Sequence, residues 1–394
     1  MTTRYTARRI EIGTRTIPVA LGLIAVYALS RLFSTGLLAV IDAIPQPHAV
    51  GHFAPGPGFI GFLTSWDALW YQQIAVHGYP VQLPLEPDGD VSYNPWAFFP
   101  VFPLLVRGAM SLTGLGFPVA AIIVATVSGG AAVFALHRVV LRRFGARAAW
   151  WGAVLFCFGP MSWLLQLGYA ESTFLFFLFA ALAAMMQRRY ILMIPFAVLA
   201  SFTHPGALAL AVALGIKALI RLVRRQHIGW RQWVGGSLSI ALIVLAGVAW
   251  PLIAAAVTGD PSAYFDTEFA WWADFIGRPL LIPFTPSFLL YSRLFGGWGI
   301  AMVAVVLGGF AFWMVRPSAR RLGVDLWTFA GSYVGYLAAV FLPTQSLFRM
   351  LMPLSPLAGH PGLTATARRR WISLGVSMVL QAGFIELLWV VYPP

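Results

Sequence analysis

Charge is scarce in this sequence. Of 394 residues only 10% are Asp, Glu, Lys or Arg, against 59% that are hydrophobic, and the mean hydropathy is +0.79. A water-soluble domain carries roughly 25% charged residues, so this chain has too little polar surface to enclose a core in water. That shortage excludes a cytosolic enzyme, a disordered regulator and a nucleic-acid-binding module, despite a net charge of +13. Cysteine is nearly absent: Cys157 stands alone, which excludes a disulfide scaffold and a thiolate-ligated zinc site. No internal repeat, low-complexity tract or soluble domain interrupts the apolar runs. What remains is an all-α polytopic membrane protein, one integral domain over residues 1–394.

About 20 apolar residues cross a bilayer. On that measure the expected spans are Ile17–Val40, Phe117–Val139, Ala148–Gly168, Ser172–Gln187, Tyr190–Thr203, Pro205–Leu222, Trp233–Val257, Gly296–Val315, Asp325–Leu342, Leu347–Thr366 and Trp371–Tyr392, about 11 transmembrane helices in a range of 10–12. Ile17–Val40 is too long for a signal-peptide core and is expected to remain as the first span. Tyr190–Thr203 and Pro205–Leu222, split at His204-Pro205, are two thin passes or a re-entrant hairpin; Pro353, Pro356 and Pro361 predict a kink in Leu347–Thr366.

The charges orient these spans. With the amino terminus in the cytoplasm, 21 of the 26 basic residues fall in inner loops and 11 of the 13 acidic residues fall outside, a strong positive-inside bias. Ala97–Leu115 is apolar enough to span, but counting it would move Arg138, Arg142, Arg143 and Arg147 outside, so it is read as an interfacial helix. Two extracytoplasmic segments then hold most of the acids: loop 1, residues 41–115, and a second loop, residues 258–295. A pure transporter keeps its ionisable groups within the spans. Here they gather at the outer boundary, which favours a reaction performed there on a lipid-linked substrate.

Within loop 1, Ser65–Pro80 reads as an amphipathic helix on the membrane surface, ended by Gly78 and Pro80, with Asp67, Tyr71 and Ile74 on one face and Trp66, Trp70 and Ile74 on another. Asp67 is either a helix cap beside an aromatic anchor or an acid held where it takes a proton from an acceptor hydroxyl. Glu171 opens a span as a second acid, a substrate ligand or a helix-start charge. Five arginines break the positive-inside pattern: Arg31, Arg107, Arg278, Arg293 and Arg349. They are candidate phosphate partners, against head-group contacts or ion pairs, the better reading for Arg107 and Arg278. Arg31 lies well inside the first span and needs an interior partner, substrate or Asp42. Asp260, Asp266, Glu268 and Asp274 read as a solvated loop, and neither they nor His48, His52 and His77 have metal-ligand spacing, so no metal or other cofactor is expected.

The run Trp66-Asp67-Ala68-x-Trp70-Tyr71-x-x-Ile74-Ala75-x-x-Gly78-Tyr79, followed by Ala97-Phe98-Phe99-Pro100-x-Phe102-Pro103, resembles the first outer loop of the mannosyltransferase family that adds the second mannose to glycosylphosphatidylinositol, with its bacterial relatives, in the GT-C superfamily. Tyr169-Ala170-Glu171-Ser172-x-Phe174, Thr203-His204-Pro205 and Gln345-Ser346-x-Phe348-Arg349 follow in order. His204 stands where the family often has Arg. The resemblance implies a GT-C-like fold with interfacial helices in a long first loop and Asp67 as catalytic base. It also implies a polyprenyl-phosphate-mannose donor and a glycolipid or other envelope acceptor. Arg349, Glu171, His204, Trp66, Tyr71 and Arg31 are the substrate-binding candidates. The expected partners are thus lipid-linked sugars and membrane lipids, in a multi-pass cell-membrane protein whose active site is extracytoplasmic. A lipid-linked-sugar flippase and a non-catalytic membrane subunit are the competing readings.

Overall fold

The computed structural model describes residues 3–5, 9–12, 15–44, 56–278 and 282–392. Three short strands come first, β1 (Thr3–Tyr5), β2 (Arg9–Ile12) and β3 (Arg15–Pro18), forming an antiparallel sheet in the order β1-β2-β3. The all-α reading did not include them, and Ile17 belongs to β3 rather than to the first span.

Helices follow in chain order: α1 (Val19–Asp42), α2 (Gly58–Leu63), α3 (Asp67–His77), α4 (Val101–Thr113), α5 (Phe117–Phe144), α6 (Ala146–Cys157), α7 (Glu171–Met186), α8 (Tyr190–Ser201), α9 (Leu208–Val223), α10 (Trp230–Thr258), α11 (Ala263–Ile276), α12 (Pro286–Phe295), α13 (Gly297–Val315), α14 (Pro317–Arg320), α15 (Gly323–Val340), α16 (Leu347–Met350), α17 (Pro361–Thr364) and α18 (Ala367–Ile385). Among the described residues six are long and apolar enough to cross a membrane, fewer than the eleven expected: Val19–Asp42, Phe117–Phe144, Pro205–Val223, Trp230–Thr258, Gly297–Val315 and Ala367–Val391. The difference has local causes. Ala148–Gly168 breaks where α6 ends at Cys157 and a 3-10 turn, Ser162–Gln166, follows. Leu347–Thr366 is divided into α16, a 3-10 run over Met352–Gly359 and α17, because each proline lacks the N–H that an α-helix needs. α4, with 13 residues, rises about 20 Å and falls short of a 30 Å hydrocarbon core.

The chain packs as two compact units, residues Met1–Gln72, Phe102–Gln187 and Phe348–Pro394 in the first and Gln73–Val101 with Arg188–Leu347 in the second. In the first, Ala121, Ala125, Gly129 and Ala132 are buried at spacings of three and four along α5, which packs against α7. Such small residues let helix backbones approach closely where lipid supplies no hydrophobic drive. A buried polar network binds α1 to the turn after α6. Arg31 donates through Nη1 to the carbonyl of Ser162 at 2.6 Å, through Nη2 to the carbonyl of Cys157 at 3.1 Å, and through Nε to Ser30 Oγ at 3.4 Å. Gln381 of α18 donates to both Ser34 Oγ and Ser162 Oγ, at 2.7 and 3.0 Å.

In the second unit α10 packs against α8 and α9, and α9 against α15. Lys217 of α9 is ion-paired with Asp325 of α15. An aromatic core gathers Trp96, Phe99 and Trp250, with Tyr79 stacked on Trp96 at 4.6 Å and Trp250 Nε1 donating to the Trp96 carbonyl. The segment read as a solvated loop is instead folded into α11 and α12. Each acid there has its own local partner: Asp260 Oδ1 accepts from Ser262 N–H at 2.8 Å, Asp266 accepts from the Ser262 hydroxyl, and Asp274 Oδ2 accepts from Tyr93 Oη at 3.0 Å. Burial pushes the Glu268 carboxyl up to about 7, against a lowering hydrogen bond from Tyr264.

Two outcomes follow. Arg31→Met removes the donors that Arg31 supplies to the Cys157 and Ser162 carbonyls and is expected to cost about 1–3 kcal/mol, read as a lower midpoint of thermal unfolding in detergent; Arg31→Lys does not restore it, since one ammonium lacks the planar fork that reaches both carbonyls. Glu268 stays protonated in the folded chain while its unfolded counterpart ionises, so its contribution to stability falls as pH rises from the ordinary glutamate range through about 7. Glu268→Gln is therefore expected to gain more in thermal midpoint over the parent at pH 8 than at pH 5.

Candidate functional site

The first unit brings together three of the residues singled out in the sequence. Asp67 opens α3 and Glu171 opens α7, so both carboxylates sit at helix starts, where unpaired backbone N–H groups favour negative charge. Arg349 arrives on the four-residue α16. Its Nη1 donates to Asp67 Oδ2 at 2.5 Å and to Glu171 Oε1 at 3.3 Å. Both acids are buried. Two carboxylates share one guanidinium, so the cluster carries one net negative charge when all three are ionised. The Nε of Arg349 is buried and makes no hydrogen bond, which leaves a donor for one further acceptor.

Tyr169 holds the start of α3 in place. Its Oη accepts from the Asp67 backbone N–H at 3.1 Å and donates to the Ser65 carbonyl at 3.4 Å, gripping the chain on both sides of Trp66. Trp66 lies at φ +58°, a left-handed conformation that costs a non-glycine residue roughly 1 kcal/mol or more. The turn places Asp67 at the first position of its helix, with Leu69 N–H returning to the Trp66 carbonyl. Gly168 permits the approach of the Tyr169 segment, since a Cβ there would stand 3.1 Å from Thr64 Cγ2 and 3.4 Å from Ala68 Cβ. The Arg349 guanidinium lies over the Tyr169 ring at 5.7 Å, and Trp389 packs against the same ring at 5.4 Å.

The other expected residues are placed elsewhere. Tyr71, one turn along α3, is buried with its ring edge-on to Phe102 at 5.1 Å. Ala68, Trp70, Ile74 and Ala75 are buried as well, while Val76 and His77 at the end of α3 are exposed, so much of the aromatic face packs on protein. Arg31 is committed to the carbonyls of Cys157 and Ser162; Asp42 is eleven residues further along α1, about 16 Å away at helical rise, and is not its partner. His204 belongs to the second unit, where its Nδ1 accepts from Gly206 N–H at 3.0 Å and caps the turn Pro205–Ala207. Arg278 pairs with Asp90 at 3.0 Å and donates to the Val91 carbonyl, while Arg107 and Arg293 are exposed. His48 and His52 lie outside the described residues. Sequence reasoning gave Tyr169 no role of its own; the available signal was its position two residues before an acid that opens an apolar helix.

Over part of its length the chain has relatives of known name. It is 28% identical over 181 residues to GPI alpha-1,6-mannosyltransferase 2 of Cricetulus griseus, 26% over 187 residues to that of Homo sapiens, and 30% over 181 residues to that of Mus musculus. Each alignment takes in 40% of this chain and spans only 34% of the relative. No family model matches the chain. Among solved structures, an oligosaccharyltransferase of Archaeoglobus fulgidus in complex with zinc and sulfate superposes with a TM-score of 0.51 at 12% identity, over 91% of this chain and 52% of that one. ArnT of Cupriavidus metallidurans bound to undecaprenyl phosphate superposes with a TM-score of 0.52 at 16% identity, over 93% and 64%. The chain is thus a multi-pass membrane protein of the GT-C fold that resembles, in sequence, the GPI alpha-1,6-mannosyltransferase 2 family.

Proposed function

We propose that the chain is an inverting glycosyltransferase that moves mannose from a polyprenyl-phosphate-mannose donor to a hydroxyl of a lipid-linked or cell-envelope acceptor. The reaction takes place at the extracytoplasmic membrane face. The observation that carries this reading is the buried Asp67–Arg349–Glu171 cluster, one base and one cation with a spare donor held at two helix starts. Mannose is supported by the names of the sequence relatives, and a polyprenyl phosphate by the lipid bound to one of the two fold neighbours. The placement at the outer face follows from the charge distribution, with 21 of 26 basic residues assigned to inner loops.

In this scheme the acceptor oxygen attacks the anomeric carbon from the side opposite the phosphate, forming the new C–O bond with inversion. The bond from the anomeric carbon to the phosphate oxygen breaks, and its electron pair leaves with the polyprenyl phosphate. The acceptor proton passes to Asp67. The hydroxyl becomes acidic as its bond to carbon forms, so a carboxylate suffices to take its proton. Arg349 takes the negative charge that develops on the leaving phosphate through the donor its carboxylates leave unused. Glu171 anchors Arg349, and Tyr169 fixes the backbone of Asp67. Charge neutralisation is assigned to Arg349, and the scheme has no step that needs a metal ion.

Membranes or purified chain, polyprenyl-phosphate-mannose and a lipid acceptor test the reading. Asp67→Asn is expected to lower kcat by about a hundredfold or more, with the chain still folded. Arg349→Lys is expected to lower transfer strongly, because an ammonium cannot bridge two carboxylates and a phosphate in one plane. Transfer by the parent chain is expected to persist in excess EDTA. Unchanged transfer by Asp67→Asn refutes the base assignment, and lipid translocation without transfer by the parent chain favours a flippase.

A further inference from the structure

The second unit contains a recess unrelated to the acidic cluster. Ser239 Oγ of α10 lies 3.1 Å from the Tyr190 carbonyl and 2.8 Å from the Gly235 carbonyl, and a Cβ on Gly235 would stand 3.3 Å from Tyr190 Cβ, so α8 begins level with Gly235–Ser239 rather than with the start of α10 at Trp230. That offset corresponds to roughly 8–14 Å of helical rise. α10 therefore overhangs the start of α8, and a cavity of about 620 Å³ lies there. Its lining falls into two parts. Arg188, Arg189 and Arg231 supply its cations, and Ile191, Leu192 and Pro195 its apolar side chains.

The cations have no ionic partner among the described residues; Arg231 lies over the Trp230 ring at 5.9 Å. Among the described residues none of the three guanidiniums pairs with a carboxylate, and no acidic residue lines the recess. Arg188 also holds φ +57°, a strained conformation in the turn that leads into α8. Ile191 and Leu192 are 63% and 48% exposed and continue the recess along the outside of α8 as an apolar strip. Positive-inside topology explains why basic residues lie in this loop, but not why three of them converge on one cavity above an apolar strip.

We propose that this recess binds one anionic glycerophospholipid, its phosphodiester held by Arg188, Arg189 and Arg231 and an acyl chain laid along Ile191, Leu192 and Pro195. The charge pattern selects the head group. A phosphatidylcholine or phosphatidylethanolamine amine would meet three cations and no acceptor carboxylate, whereas a phosphatidylglycerol head group carries only the negative charge and hydroxyls. Free phosphate would satisfy the arginines but would leave the apolar strip unused.

The full-length chain, purified in a neutral detergent, is tested with phosphatidylglycerol, phosphatidylcholine and inorganic phosphate, reading thermal midpoint and lipid retained in native mass spectra. Phosphatidylglycerol is expected to raise the midpoint and to be retained with a stoichiometry of one at the tightest site, and the other two probes are not. The combined variant Arg188→Gln, Arg189→Gln, Arg231→Gln is expected to bind phosphatidylglycerol at least tenfold more weakly, while Arg316→Gln, Arg320→Gln, Arg321→Gln, which removes the same charge elsewhere, binds as the parent does. If the first combination does not fold, Arg231→Glu alone at the edge of the recess is expected to give the same loss. Equal retention of phosphatidylcholine, equal stabilisation by inorganic phosphate, or equal loss in the two triple variants overturns the proposal.

Discussion

One guanidinium nitrogen holds the candidate site together. Two carboxylates buried side by side repel each other and are poorly solvated, so they ionise together only if a cation is fixed between them. Arg349 Nη1 supplies that cation to Asp67 and Glu171. The surrounding elements serve this contact. α3 and α7 present their first residues to it, Tyr169 holds the strained turn ahead of Asp67, and the proline-broken stretch after α16 lets the arginine arrive from a short helix rather than from the middle of a long one.

The arginines of this chain separate into distinct physical roles. On the positive-inside reading most of them are topological charge. Arg31 is a structural donor buried among carbonyls, a task in which its permanent charge matters less than its fork of N–H groups. Arg349 is electrostatic, balanced against two acids. Arg188, Arg189 and Arg231 are set apart by their local geometry rather than their count. Composition places all of these in a single total of 26 basic residues.

Much of this was legible in the sequence, and what escaped it has physical causes. The lack of charge excluded a soluble fold, and the Trp66-Asp67 and Phe348-Arg349 runs pointed to residues that the fold brings into contact. Length and hydropathy did not show where a run is broken, because an apolar run such as Ala148–Gly168 has the composition of a helix while its backbone turns after Cys157. The periodicity of Ser65–Pro80 suggested a face turned to the interface. Burial of Trp70, Tyr71 and Ile74 depends on what the rest of the chain places around them, which a local pattern does not carry. Arg31 was recognised as needing an interior partner, yet its partners are backbone carbonyls, and these have no letter in a sequence. The offset between α8 and α10 is set by how Tyr190 packs on Gly235 and Ser239 and is likewise invisible before folding.

The span between Asp67 and Arg349 is 282 residues. During synthesis at roughly 5–20 residues per second, Asp67 and Glu171 are made many seconds before their cation. An unpaired carboxylate in such surroundings keeps a proton or keeps to water. The two acids can therefore settle as a charged pair only once α16 has been made and docks. Completion of the site in this way waits for α16, and a chain without it contains both acids without the electrostatics that make them a site.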